Sequence, residues 1–176
     1  MAPPNLQLSH ADHLPQPRPL ALRVLAHDLE LAANVGALFR LADALGVAHL
    51  HLSGRTPVPP DPKIRRASRS AERFVSFSQD ADPLATVAAL RAAGWRVVSL
   101  ELTSASVDVR ALPVAPDDRV CLVLGAEAAG VSQALLDASD ATVHLPMRGR
   151  NSSMNVASAC AIALFEIGGR LAGGGA

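Results

Sequence analysis

The sequence predicts an α/β domain with a mainly parallel sheet flanked by helices. Three observations carry that expectation. Stretches with strand patterning trade places with stretches of helical period along most of the chain. Arg119–Gly125, RVCLVLG, is apolar almost throughout, as a strand buried on both faces must be. The segment Met154–Ile167 reads as a helix with hardly any polar face, and such a helix needs cover on more than one side.

Taken in order, residues 1–19 carry Pro3, Pro4, Pro15, Pro17 and Pro19 and no apolar core segment. They read as a mobile Pro-rich lead-in, neither signal peptide nor membrane span. Residues 20–172 read as a single domain and 173–176 as a flexible tail. Leu20–His27 is a first strand and Asp28–Ala33 a short connection. From Asn34, placed at the cap, Val35, Leu38, Phe39, Leu41, Ala42 and Leu45 keep a helical period until Gly46. Ala48–Leu52 alternates as a strand. Gly54–Pro62 is a loop by composition. Lys63–Arg73 is a local basic cluster, and Phe74–Phe77 a short strand. Asp82–Ala93 forms an amphipathic helix stopped by Gly94, and Trp95–Leu102 a strand. Thr103–Asp118 is a turn-rich connection. Ser132–Ala138 is a short helix and Thr142–Leu145 a strand. Asn151, Ser152 and Ser153 then offer side-chain oxygens to cap the final helix.

A chain of 176 residues, 49% hydrophobic, builds one domain with a sizeable core. Sixteen basic residues balance sixteen acidic ones, so any case for a nucleic-acid partner has to be local. That case rests on Lys63, Arg65, Arg66, Arg69 and Arg73, set against Glu72. Cys121 and Cys160 lie on apolar segments without metal spacing and read as buried free thiols. His49 and His51 share a strand face and read as structural or surface residues. Neither a dinucleotide fingerprint nor a P-loop is present. With no membrane-spanning segment, a soluble, cytoplasmic protein is the expectation.

Ligands of open α/β sheets bind at the carboxyl ends of the strands. Here that means after Leu100, after Leu124 and after Leu145. Three segments at strand–helix junctions carry the polar groups: Asn34-Val35-Gly36 with Arg40, Leu124–Ser132 (LGAEAAGVS), and Leu145–Gly169 (LPMRGRNSSMNVASACAIALFEIGG). Singly, each also reads as plain structure: a capped helix with an exposed Arg, a tight turn with a surface Glu, a capped core helix.

Together, NxGxxxR, LVLGxExxGVS and LPMxGxxxSxNVxxAxAIALFE resemble, in order and spacing, the three motifs of the SpoU branch of the SPOUT methyltransferases. The likeness runs from about Leu22 to Phe165. It implies an S-adenosylmethionine-dependent enzyme that methylates ribose 2′-hydroxyls in tRNA or rRNA. It also implies a C-terminal deep trefoil knot and a homodimer that shares its sites, without metal. By the same resemblance Arg40 lies nearest the reacting hydroxyl, and Asn34, Glu127, Ser153 and Asn155 shape the site. Leu100, Gly125, Leu145, Met147, Ser153 and Met154 would hold the cofactor, largely through backbone. The cluster Lys63, Arg65, Arg66, Arg69 and Arg73 would meet RNA phosphates, and Arg148 and Arg150 the target nucleotide. Two positions depart from the usual pattern: Ala126 stands where many members have Asn, and Met154 where they have Leu. The alternative is a non-catalytic RNA-binding or assembly protein on the same fold.

Overall fold

The computed structural model describes residues 5–9, 12, 14 and 19–173. The expected lead-in and tail therefore fall largely outside the described residues. Seven strands form one sheet: β1 (Leu20–His27), β2 (Val47–Ser53), β3 (Phe77–Asp80), β4 (Arg96–Leu100), β5 (Val107–Asp108), β6 (Val120–Leu124) and β7 (Ala141–His144). Their order is β3-β2-β1-β6-β4-β7-β5, and every neighbouring pair is parallel. Among the described residues five α-helices accompany them: α1 (Ala32–Leu45), α2 (Pro62–Ser68), α3 (Pro83–Ala92), α4 (Gln133–Ala138) and α5 (Val156–Leu171).

The pleat divides the core into two layers. Leu22, Val24 and Ala26 of β1, with Leu122 and Leu124 of β6, pack against Leu38 and Phe39 of α1 and Cys160, Leu164 and Ile167 of α5. Leu25, Val97, Cys121 and Val123 face the other way, onto Val87 and Leu90 of α3, Leu135 of α4 and Trp95. All five residues of β6 are buried, as a central strand with both faces covered requires. Burial pushes both thiols, Cys121 and Cys160, up to about 12, which leaves them unreactive packing groups.

Local chemistry sets most helix ends. Asp61 accepts from the amides of Lys63 and Ile64, with Pro62 opening α2, and Asp82 accepts from those of Leu84 and Ala85, with Pro83 opening α3. Gly46, at φ 69°, closes α1 in the left-handed conformation. Gly36 lets α1 and α2 meet: a Cβ there would lie 2.6 Å from both the Ala67 Cβ and the Ile64 carbonyl oxygen.

Several expectations need correction. α1 begins at Ala32, two residues before Asn34, so Asn34 sits inside its first turn; Leu31 occupies the cap position with no side-chain bond. The expected loop Gly54–Pro62 gives way to α2 at Pro62. After α2 the chain turns through Arg69 (φ 53°) and Ser70 (φ 72°) into a 3-10 turn at Ala71–Arg73. The strand placed at Phe74–Phe77 starts at Phe77, where pairing with Leu50 begins, and Phe74 is left in water. The 103–118 connection contains β5 and a second 3-10 turn, Val109–Ala111, with Val109 and Leu112 buried. α5 is capped by Asn155, not by Asn151, Ser152 or Ser153.

His49 and His51 are structural. His49 shares hydrogen bonds with Ser76 and Ser78 of the neighbouring segment, and His51 lies 2.8 Å from the Asp80 carboxylate. Beside them the Arg23 and Arg119 guanidiniums lie 4.3 and 4.6 Å from the Trp95 ring centre. Among the described residues no helix is long and apolar enough to cross a membrane.

Candidate functional site

The carboxyl ends of β4, β6 and β7 open into one cleft of about 500 Å³. Its walls are Leu100–Leu102 after β4, Gly125–Gly130 after β6, Leu145 and Met147 after β7, and Ser152–Val156 leading into α5. Leu31 and Asn34, at the start of α1, complete it. The three strand ends singled out in the sequence thus converge on one space. Leu100, Gly125, Leu145, Met147, Ser153 and Met154 all line it, as do Asn34, Glu127 and Asn155.

The loop after β6 is held rigidly. Ala126 and Gly130 exchange backbone hydrogen bonds of 3.0 and 2.8 Å. A Cβ on Gly125 would lie 2.0 Å from the Gly130 carbonyl oxygen and 2.2 Å from the Val131 nitrogen. The glycine is therefore required by the returning arm of its own loop, rather than by a ligand lying against it. The Glu101 carboxylate accepts from the Val131 amide at 2.9 Å and the Leu102 amide at 2.9 Å, tying this loop to the end of β4. Sequence reasoning missed Glu101, because it carried the β4 strand through Leu102. The available signal was an acidic residue directly after the apolar run that ends at Leu100.

A chain of hydrogen bonds joins the three motif segments. The Glu127 carboxylate accepts from the Glu30 and Leu31 amides at 2.8 and 3.2 Å and from Asn34 Nδ2 at 2.8 Å. Asn34 Oδ1 in turn accepts from Asn155 Nδ2 at 3.0 Å. Asn155 Oδ1 caps α5 by accepting from the Ala157 and Ser158 amides. Glu127 thereby holds the two residues that lead into α1, and its negative charge suits that helix end. Partial burial pushes the Glu127 carboxyl up, but the Glu30, Asn34 and Leu31 donors outweigh it and hold the group below its ordinary value. Asn34 is 7% exposed, and both of its amide ends are used.

Arg40 lies elsewhere. It is exposed on α1, six residues beyond Asn34, and is not among the residues lining the cleft. The expected RNA-contacting residues are also outside that lining. They share one property: Arg40, Lys63, Arg65, Arg66, Arg69, Arg73, Arg148 and Arg150 have no ion-pair or side-chain hydrogen-bond partner among the described residues. The remaining arginines in residues 19–173 are engaged. Arg55, Arg91, Arg110 and Arg170 have carboxylate partners. Arg96 and Arg119 donate to the Pro113 and Ala93 carbonyls. Arg23 lies over Trp95. No group of three or more His, Cys, Asp or Glu among the described residues is placed to hold a metal ion.

Comparison with known proteins fits this geometry. The sequence profile of the SpoU rRNA Methylase family matches residues 21–165. The chain is 28% identical over 166 residues to the 23S rRNA (guanosine-2'-O-)-methyltransferase RlmB of Acinetobacter baylyi, covering 93% of this chain and 65% of that protein. It is 29% identical over 148 residues to the tRNA (guanosine(18)-2'-O)-methyltransferase of Escherichia coli, covering 82% of this chain and 62% of that one. The AdoMet-bound rRNA methyltransferase of Sinorhizobium meliloti superposes with a TM-score of 0.77 at 30% identity, over 89% of this chain and 58% of that chain. The chain thus spans about three-fifths of the length of the curated relatives it matches.

Proposed function

The chain belongs to the SpoU rRNA methylase family, and from that membership we propose that it transfers a methyl group from S-adenosylmethionine to a ribose 2′-hydroxyl in tRNA or rRNA. The observation that carries this reading is the cleft at the ends of β4, β6 and β7, hydrogen-bonded to the starts of α1 and α5 in a protein whose unpartnered cations among the described residues are Arg40, the Lys63–Arg73 cluster, Arg148 and Arg150.

The cleft's chemistry fits the cofactor. Its volume is that of a small-molecule site, and its lining mixes backbone-rich loops with the half-exposed apolar side chains of Met147 and Met154. Leu100, Gly125, Leu145, Met147, Ser153 and Met154 are the residues that hold it in this reading. Bound there, S-adenosylmethionine supplies a sulfonium-activated methyl. The chain's own part is to align the hydroxyl with that methyl and to stabilise the charge that develops on the oxygen. Arg40 provides the charge. A guanidinium stays protonated, so it acts by lowering the hydroxyl's pKa and by fixing a neighbouring phosphate, and the hydroxyl proton passes to solvent water. Glu127, Asn34 and Asn155 hold the cleft's walls in register, with Ser153 on its rim.

A homodimer completes the site in this proposal. Ile162 and Phe165 of α5 are 48% and 72% exposed, and α5 packs beside α1. A second copy covering that apolar stripe brings its Arg40 towards a cleft that its own chain leaves without a cation. The single domain over 20–172 and the trefoil knot belong to the same proposal, as does the cytoplasmic setting in which tRNA and rRNA are met.

The test is transfer of labelled methyl from S-adenosylmethionine to bulk tRNA and rRNA, with the product nucleoside identified by mass spectrometry. A 2′-O-methylnucleoside is expected. Cofactor binding without methyl transfer to either RNA would favour the non-catalytic RNA-binding or assembly protein. Methyl found on a base would overturn the ribose assignment.

A further inference from the structure

A second concavity, of about 660 Å³, shares no lining residue with the strand-end cleft and runs from Pro59–Pro62 to Arg65, Arg66 and Arg73. Its lining is part apolar and part cationic, with the Asp61 and Glu72 carboxylates beside the guanidiniums. Beside Arg73 stands Phe74, 79% exposed in a chain that has only four Phe, one Trp and no Tyr. A lone exposed apolar side chain is ordinary. This one is displayed on a rigid mount. The Phe74 and Val75 amides both donate to the Ala71 carbonyl, and Ala71 and Val75 on either side of it are buried. The turn leading in holds two consecutive non-glycine residues, Arg69 and Ser70, in the left-handed region. Ser68, 1% exposed, braces that turn through the Ser70 amide and the Glu72 carboxylate.

An exposed aromatic side chain on a fixed backbone turn, next in the chain to Arg73, suits a ligand with flat apolar rings and phosphates at nucleotide spacing. We infer that this groove and Phe74 bind an unpaired stretch of RNA, with one base stacked on the Phe74 ring and the flanking phosphates on Arg65, Arg66, Arg69 and Arg73. Base faces are available only where RNA is unstacked, so the substrate class is a loop, bulge or single-stranded segment rather than a regular duplex. This inference rests on the RNA reading above and adds what form the RNA takes.

The experiment compares a short unpaired RNA carrying 2-aminopurine with the same strand annealed to its complement. It uses the full-length wild type, Phe74→Ala and Phe74→Leu, with melting curves confirming that the variants fold. The wild type should bind the unpaired strand more tightly and quench its fluorescence. Phe74→Ala should lose roughly 5- to 150-fold in affinity, the range for one stacked base, together with the quenching. Phe74→Leu, which keeps the apolar bulk, should not restore the quenching. The salt dependence should be unchanged in both variants, because no phosphate contact is removed. Equal binding of duplex and single strand, or an unaltered Phe74→Ala, would overturn the inference while leaving the RNA reading intact. A Phe74→Ala variant that dissociates from dimer to monomer would assign Phe74 to a subunit seam and overturn it also. Failure of the wild type to bind either RNA would overturn the RNA reading itself.

Discussion

Glu127 is a residue whose role is set by geometry rather than by sequence neighbourhood. It holds the turn leading into a helix through the Glu30 and Leu31 amides, 97 and 96 positions earlier in the chain. Glu127→Gln replaces an acceptor-only carboxylate with an amide whose NH2 faces donors. Stability should fall by about 1–2 kcal/mol, the scale of a lost hydrogen bond with a partner left unsatisfied. The pH dependence separates charge from shape. Glu127's folded-state pKa lies below the ordinary 4.5. Between those values the unfolded chain binds more protons than the folded one, so stability rises with pH there. Its contribution is complete above the ordinary value and disappears as pH falls through the folded one. Thermal melts of the wild type should show that acid-side loss, and Glu127→Gln should show less of it. Arg40 yields a second residue-scale prediction. Arg40→Ala should reduce methyl transfer by about a hundredfold or more, with S-adenosylmethionine binding by calorimetry unchanged. Arg40→Lys, without the planar fork, should rescue little. At this scale the sequence pointed to Asn34, Glu127 and Asn155 as a group but misassigned Asn34 as a cap. Cap patterns are local, whereas the donor–acceptor pairs here join residues 93 and 121 positions apart.

Among the elements, α5 carries the most consequences. Ala157, Cys160, Ala163, Leu164, Ile167 and Leu171 bury one face, while Ser158, Ile162, Phe165 and Gly169 lie exposed along another. In the proposed homodimer a second copy covers Ile162 and Phe165. Phe165→Asp should therefore leave the monomer folded, shift sedimentation at micromolar concentration from dimer to monomer, and abolish methyl transfer. A wild type that sediments as a monomer would refute the shared site. Element by element, periodicity located β1, α3, α4 and β6 closely, because their burial patterns are dictated by flanking caps and by the two-layer core. It failed at β3. Phe74 and Val75 look strand-like by type, yet the preceding left-handed turn at Arg69 and Ser70 delays sheet pairing until Phe77. Nothing in the residue types of Arg69 or Ser70 announces that conformation.

For the whole molecule, zero net charge conceals segregation: one group of arginines serves the fold and another remains unpartnered. The double variant Arg65→Glu with Arg69→Glu should weaken RNA binding and flatten the plot of log affinity against log salt by roughly 0.7–0.9 for each phosphate contact removed. Cofactor binding should be untouched. An unchanged salt slope would return these residues to an ordinary solvated surface. Composition alone gave no view of this, since pairing is a property of the folded chain. The hydrogen-bonded chain from Glu127 through Asn34 to Asn155 also has a consequence for biogenesis. A ribosome delivers Asn155 121 positions after Asn34, so the growing polypeptide has no finished cleft until that second segment has emerged. Protection against hydrogen exchange, followed during refolding, should therefore reach the Glu30 and Leu31 amides when the loop after β6 docks and the Ala157 and Ser158 amides when α5 does, and the later of the two should mark the moment at which a new molecule first becomes competent.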